Sequence, residues 1–151
     1  MIKLVDVTEQ NYREAVSLRV HEAQQEFLDQ PLGIIARGYL YRAQNARVFG
    51  IADGEQLLGL ALVKDLDEAP ACYDLQQFMI DRRFQNQGHG TQALRLLLAL
   101  LAKEGRYGQV EVCVHQDNAP ALRMYQRLGF KDTGYVDEGA PNCRNLMYAL
   151  N

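Results

Sequence analysis

Residues 75–105, LQQFMIDRRFQNQGHGTQALRLLLALLAKEG, constrain the fold more than any other part of the chain. Leu75 to Ile80 reads as a buried strand. The turn QNQGHG follows, with two glycines and three amides between Gln85 and Gly90. Leu94, Leu97, Leu98 and Leu101 then recur at helical spacing, and Gly105 stands where a helix C′ residue belongs. Glycine makes a tight strand-to-helix turn cheap because it adopts φ > 0 without penalty. The unpaired N–H groups of a helix start also form a seat for an anion. Here that seat would be the backbone of Gln87 to Thr91, aided by the helix dipole. The turn lacks the lysine and serine or threonine of a nucleotide P-loop and is not GxGxxG, so neither ATP nor NAD is the favoured ligand. What suits it is a pyrophosphate that is held and not hydrolysed.

The rest of the chain fits a sheet around that unit. Ile2 to Val7 alternates as an exposed-edge strand, and Thr8 predicts an N-cap for a helix from Glu9 through Leu18. A second helix is expected between Pro31 and Ala43, interrupted in propensity by Gly33 and Gly38. Val48 to Ala52 and Gln56 to Val63 flank Asp53-Gly54, a hairpin signal. Asp65 to Pro70 reads as an acidic loop, and Ala71 to Ile80 as the strand that enters the turn. QVEVCVH, Gln109 to His115, alternates cleanly as a strand. Asp117-Asn118 caps a short helix with Pro120 in its first turn and Gly129 at its end. Lys131 to Val136 and Asn145 to Leu150 close the chain as strands. This order predicts one α/β domain over residues 1–151.

Composition excludes several partners. A formal charge of −3 and a pI near 5.6 argue against nucleic acid, which needs a basic face. No apolar run approaches the length of a membrane span, and the charged start MIKLVDVTEQ reads as a strand and not as a secretory signal. Cys72, Cys113 and Cys143 are odd in number and lack CxxC spacing. They suit a reducing cytoplasm and predict neither a disulfide framework nor a metal site.

Gln85-x-x-Gly88-x-Gly90 after an apolar strand, followed by DNAPALRMYQRLGF from Asp117 to Phe130, resembles the GNAT superfamily of N-acetyltransferases. The first element is similar to that family's acetyl-CoA pyrophosphate loop, and the second to its Asn–helix–Tyr–x–x–x–Gly-Phe element. The resemblance implies a mixed, mostly antiparallel sheet of about six to seven strands flanked by about four helices. It implies acetyl-CoA as co-substrate and no metal. Gln85, Asn86, Gln87, Gly88, His89, Gly90 and Thr91 would hold the pyrophosphate. The backbone of Phe78, Met79 and Ile80 would pair with the pantetheine arm as an added strand. Asn118 would hydrogen-bond the pantetheine, Tyr125 would protonate the departing thiolate, and Arg127 could reach the phosphates. On residues alone, Tyr125 shares a helix face with Leu122 and Leu128, and a core tyrosine is the competing reading.

Histidines carry less. His89 is expected to face solvent at the turn, and His115 to be structural at a strand end. Arg82-Arg83 reads equally as a phosphate lure and as a solvated loop. An amine acceptor must lose a proton before attack, so a base is needed. Asp74 and Glu26 are the candidates, with Glu22 beside them. FMID followed by RRFQNQG is similar to the spermine/spermidine (diamine) acetyltransferase subgroup, and Glu22, Glu26 and Asp29 would suit a long cationic substrate. Gln76 and Gln77 depart from that subgroup, which often has a charged residue before FMID. Other small amines, a protein N-terminus, or a non-catalytic acyl-CoA-binding module therefore stay open. A homodimer is compatible with the family.

Overall fold

The computed structural model describes residues 1–151 and contains seven strands and four α-helices. The strands are β1 (Ile2–Asp6), β2 (Arg47–Asp53), β3 (Gln56–Leu66), β4 (Cys72–Ile80), β5 (Gln109–His115), β6 (Lys131–Asp132) and β7 (Cys143–Ala149). The helices are α1 (Tyr12–Ser17), α2 (Pro31–Leu40), α3 (His89–Glu104) and α4 (Ala119–Leu128). The strands form one sheet in the order β1-β2-β3-β4-β5-β7-β6. Every neighbour pair is antiparallel except β4 with β5. That single parallel step is the place where the chain must cross over, and α3 is the crossover.

Both faces of the sheet are covered. Leu94, Leu97, Leu98 and Leu101 of α3 pack with Leu122 and Tyr125 of α4 over Tyr73, Leu75, Val110 and Val112. On the opposite face, Ala15 and Leu18 near α1 and Ile34 of α2 pack over Leu57, Leu60, Leu62 and Met79. The long buried run in β3, Leu57 to Val63, therefore serves two cores at once, which is why it does not alternate.

The structure corrects several sequence expectations. The first helix begins at Tyr12, not Glu9; Asn11 precedes it and its Oδ1 accepts from Thr8 N at 2.7 Å, so Thr8 forms a turn before the helix. The helix from Pro31 ends at Leu40, and a 3₁₀ turn over Arg42–Gln44 follows. Asp65 belongs to β3 and not to a loop. Its carboxylate is 5% exposed and takes Arg106 Nη2 and Asn45 Nδ2, both at 2.6 Å. The strand expected from Lys131 to Val136 is only two residues long. In the hairpin, the two turn residues are Gly54 and Glu55, with Gly54 at φ +61° and Asp53 paired to Gln56.

Candidate active site

β4 and β5 pair only at Tyr73–Val110, Asp74–Glu111 and Leu75–Val112. At that point β4 gains a residue: Leu62 of β3 opposes Gln77, whereas Val63 opposes Leu75, so Gln76 is the extra residue of a bulge. A bulge bends its strand and raises the local twist. Beyond it each strand keeps its outer partner and loses the inner one. β4 stays on β3 as far as Gly59–Ile80, and β5 stays on β7 as far as His115–Cys143.

A cleft of about 480 Å³ fills the resulting gap. Gln76 and Phe78 to Ile80 line one side, and Val112 to His115 line the other. Its lining comes from both faces of the sheet. Val20, Gln24, Phe27 and Leu28 bound it on the α2 face, while Ala121, Met124 and Tyr125 bound it on the α4 face. The Phe27 ring lies 5.1 Å from the His115 imidazole and closes the far corner.

The glycine-rich turn forms one mouth of this cleft. Asn86 and Gly88 hold φ +60° and +82°, and Gly88 is the residue immediately before α3. Gln92 N donates to Gly88 O at 3.1 Å as the first helical bond, so the N–H groups of His89, Gly90 and Thr91 precede any intrahelical acceptor. A Cβ at Gly88 would meet nothing within 4 Å, which leaves the space over the helix start clear. Gln85, Asn86, Gly88, Gly90 and Thr91 line the cleft, whereas Gln87 and His89 do not. His89 is half-buried, and its Nδ1 is covered without a partner. Arg123 and Arg127 of α4 border the same mouth. Arg83 is instead tied to Asp81 at 2.8 Å, and Arg82 lies outside the cleft.

Tyr125 lies inside the cleft on the α4 side. Its ring meets Phe130 edge-on at 5.2 Å, and it is 5% exposed. Burial alone pushes the phenol well above its ordinary range; no hydrogen bond offsets it. Asn118 caps α4, its Oδ1 accepting from Ala121 N at 3.4 Å, and it also lines the cleft.

Of the acids, Glu26 and Glu22 are exposed and outside the lining. Asp29 is held by Arg37 Nε at 2.9 Å. Asp74 sits one pair before the strands part and, like Glu111, lies just outside the lining, next to Leu75 and Gln76, which belong to it. Burial raises its pKa, against the pull of Lys64, whose Nζ is 3.5 Å away, and of Gln76, whose Nε2 donates at 3.3 Å. Glu111, its partner across the β4–β5 seam, is raised by burial and then by the charge of Asp74. Sequence reasoning missed Glu111 because it is simply an outward position of an alternating strand. Only the pairing of β4 with β5 makes the two acids neighbours. No group of three or more metal-ligating side chains is present, and no helix is long and apolar enough to cross a membrane.

A sheet opened at one parallel step, with a helix N-terminus at one mouth, agrees with the acyltransferase architecture that the sequence resemblance implies. The chain belongs to the acetyltransferase (GNAT) family, whose model matches residues 6–130, and it is accordingly an N-acetyltransferase. It is 27% identical over 139 residues to a spermine/spermidine N(1)-acetyltransferase of Bacillus subtilis, covering 90% of this chain and 91% of that one. An L-amino acid N-acetyltransferase of Escherichia coli is 28% identical over 75 residues, or 48% of this chain and 46% of that one. Among solved structures, a spermidine N-acetyltransferase of Vibrio cholerae in complex with CoA and spermine superposes with TM-score 0.77 at 15% identity, over 99% and 95% of the two chains. The ribosomal-protein-S18-alanine N-acetyltransferase of Escherichia coli superposes with TM-score 0.74 at 17% identity, over 100% and 95%. At these identities the structures show the shared fold.

Proposed function

We propose that the enzyme transfers acetyl from acetyl-CoA directly to a primary amine of a small molecule, with polyamines such as spermidine and spermine as the preferred class. The observation that carries this reading is the cleft where β4 and β5 part at the Gln76 bulge, lined by residues from both faces of the sheet. One substrate can enter from the α3 side and the other from the α2 side and meet between β4 and β5. The likeness to the Bacillus spermine/spermidine enzyme over nine-tenths of both chains supports the polyamine class. The shorter likeness to the amino acid enzyme keeps amino acids in the test.

Acetyl-CoA supplies the activated thioester. The N–H groups of His89, Gly90 and Thr91 hold its pyrophosphate, with Arg123 and Arg127 adding positive charge at the rim. The unpaired inner edge of Phe78–Ile80 takes the pantetheine arm in place of the missing strand. Asn118 spends its Oδ1 on the helix cap, which leaves its Nδ2 hydrogens for the same arm. Tyr125 carries a protonated phenol inside the cleft and donates its proton to the leaving sulfur; its place there carries this role, since burial by itself weakens the phenol as an acid. Asp74, its pKa raised by burial and with Glu111 beside it across the seam, takes the ammonium proton through a water. Glu26 is exposed and serves at most as an outer charge for a cationic substrate.

The test is an assay of purified protein with acetyl-CoA and spermidine, spermine or L-amino acids, following free thiol and acetylated product together. Equal amounts of CoA and N-acetylspermidine are expected. Acetylated amino acid without acetylated polyamine moves the substrate class. Binding of acetyl-CoA with no thiol release under any amine refutes turnover and leaves an acyl-CoA-binding module.

A further inference from the structure

The segment that walls the cleft on the α2 face, a 3₁₀ turn over Glu22–Phe27, does not pack there by apolar contact alone. None of its residues is buried. It is tied down by two glutamine side chains facing each other. Gln24 Nε2 donates to Gln85 Oε1 at 3.1 Å, and Gln85 Nε2 donates back to Gln24 Oε1 at 2.8 Å. Gln85 Nε2 also donates to Ile80 O at 2.8 Å, and Gln24 Oε1 also accepts from His21 N at 3.0 Å. Both donor hydrogens of the Gln85 amide are thereby used, and both side chains line the cleft. Gln85 opens the glycine-rich turn, three residues before Gly88. Gln24 belongs to the wall on the other face of the sheet.

We infer that the Gln24–Gln85 amide pair is a positioning device that couples occupancy of the pyrophosphate turn to the order of the acceptor wall. The inference rests on the reading of that turn as the coenzyme A seat. Its physical basis is economy of contacts. The wall's other polar holds lie at its ends. Asp29 N donates to Gln77 Oε1 at 3.0 Å at one, and at the other Arg19 N donates to Asp81 Oδ2 at 2.8 Å and Arg82 N to Arg19 O at 2.7 Å. Val20, Leu28 and the Phe27 ring on His115 add apolar contact. Between those ends, Gln85 is the only residue of β4 or the turn that hydrogen-bonds the wall. An anion held by the amides after Gln85 fixes that residue's backbone, and the paired amides pass the constraint to Gln24. A wall so ordered presents Phe27 and Leu28 to the second substrate at lower entropic cost, which is positive coupling between the two sites.

Deuterium uptake of the segment spanning residues 19–30, with and without saturating coenzyme A, tests this in the unmodified enzyme. Slower uptake with coenzyme A is expected, on the order of five-fold or more, the low end of ordinary coupling. Q24L should bind coenzyme A with affinity within about three-fold of the parent and lose that slowing, since it cuts the link without touching the turn. The pair Q24E with Q85R, which replaces the two amide–amide hydrogen bonds by charge-assisted ones, should restore it. Coenzyme A binding that leaves uptake of the segment unchanged in the parent overturns the inference, and so does equal slowing in Q24L. Absence of any coenzyme A heat in calorimetry instead overturns the assignment of the turn itself.

Discussion

β4 and β5 are one strand pair with two fates. From Tyr73 to Leu75 they share a ladder and are sealed by α3, while from Gln76 onward they part and bound a cleft. The closed half is built from large side chains that interlock. Tyr73 is fully buried, meets Tyr107 edge-on at 5.1 Å, donates to Leu101 O at 3.3 Å and accepts from Arg106 N at 3.1 Å. The open half has a buried polar atom without a protein partner, Gln76 Oε1. The difference teaches that a single inserted residue suffices to convert sheet core into a site. Once Gln76 breaks register, each strand follows its outer neighbour and the inner ladder ends. Stability and turnover should accordingly separate along the same two strands.

The sharpest break in this comparison is Tyr125→Phe. Turnover should fall by about ten- to a thousand-fold with little change in acetyl-CoA affinity, while the denaturation midpoint barely moves. Unchanged kcat would return Tyr125 to the closed half as a packing residue. Asp74→Asn sits at the junction and should lower kcat/KM by about ten- to a hundred-fold. The pH profile sharpens this further. A base must be ionised, so kcat/KM should drop as pH falls through the Asp74 pKa. Because burial raises that pKa, the acid limb should lie above the ordinary carboxylate value of about 4. An acid limb that survives unaltered in Asp74→Asn assigns the base to Glu111 or elsewhere.

Gly88→Ala should weaken coenzyme A binding by roughly ten-fold in calorimetry, through strain at φ +82° and not through a clash, since a Cβ there meets nothing. Affinity equal to the parent in folded protein would remove the turn from the site. The smallest effect belongs to the closed half. Tyr73→Phe leaves Arg106 N without its acceptor, while Leu101 O keeps the Gly105 N–H at 3.1 Å, and should cost about 1–2 kcal/mol of stability in denaturant titration. Its kcat should stay within about two-fold of the parent, and a larger drop would erase the distinction between the two halves.

How much of this was legible beforehand varied by element, for physical reasons. The turn from Gln85 to Gly90, α3 and α4 were readable because their signals are local: glycines at positive φ, a leucine stripe at helical spacing, and an asparagine cap with proline behind it. Asp65 was not, because its burial depends on Arg106 and Asn45, which are distant in the chain. Glu111 was missed for the same reason. The bulge at Gln76 leaves no local mark, since two glutamines in a strand look alike until the partner's register shows which one is extra.

By itself, then, the amino-acid order determined which segments are strands and helices, where the glycine-rich turn lies, and which family the chain resembles. Those properties follow from backbone preferences and side-chain periodicity within a few residues. Only the tertiary structure decided where the sheet opens, that Asp74 faces Glu111, and that Gln24 meets Gln85. Each of these depends on the register between strands or segments far apart in sequence, and register is a property of the packed sheet and not of any one strand.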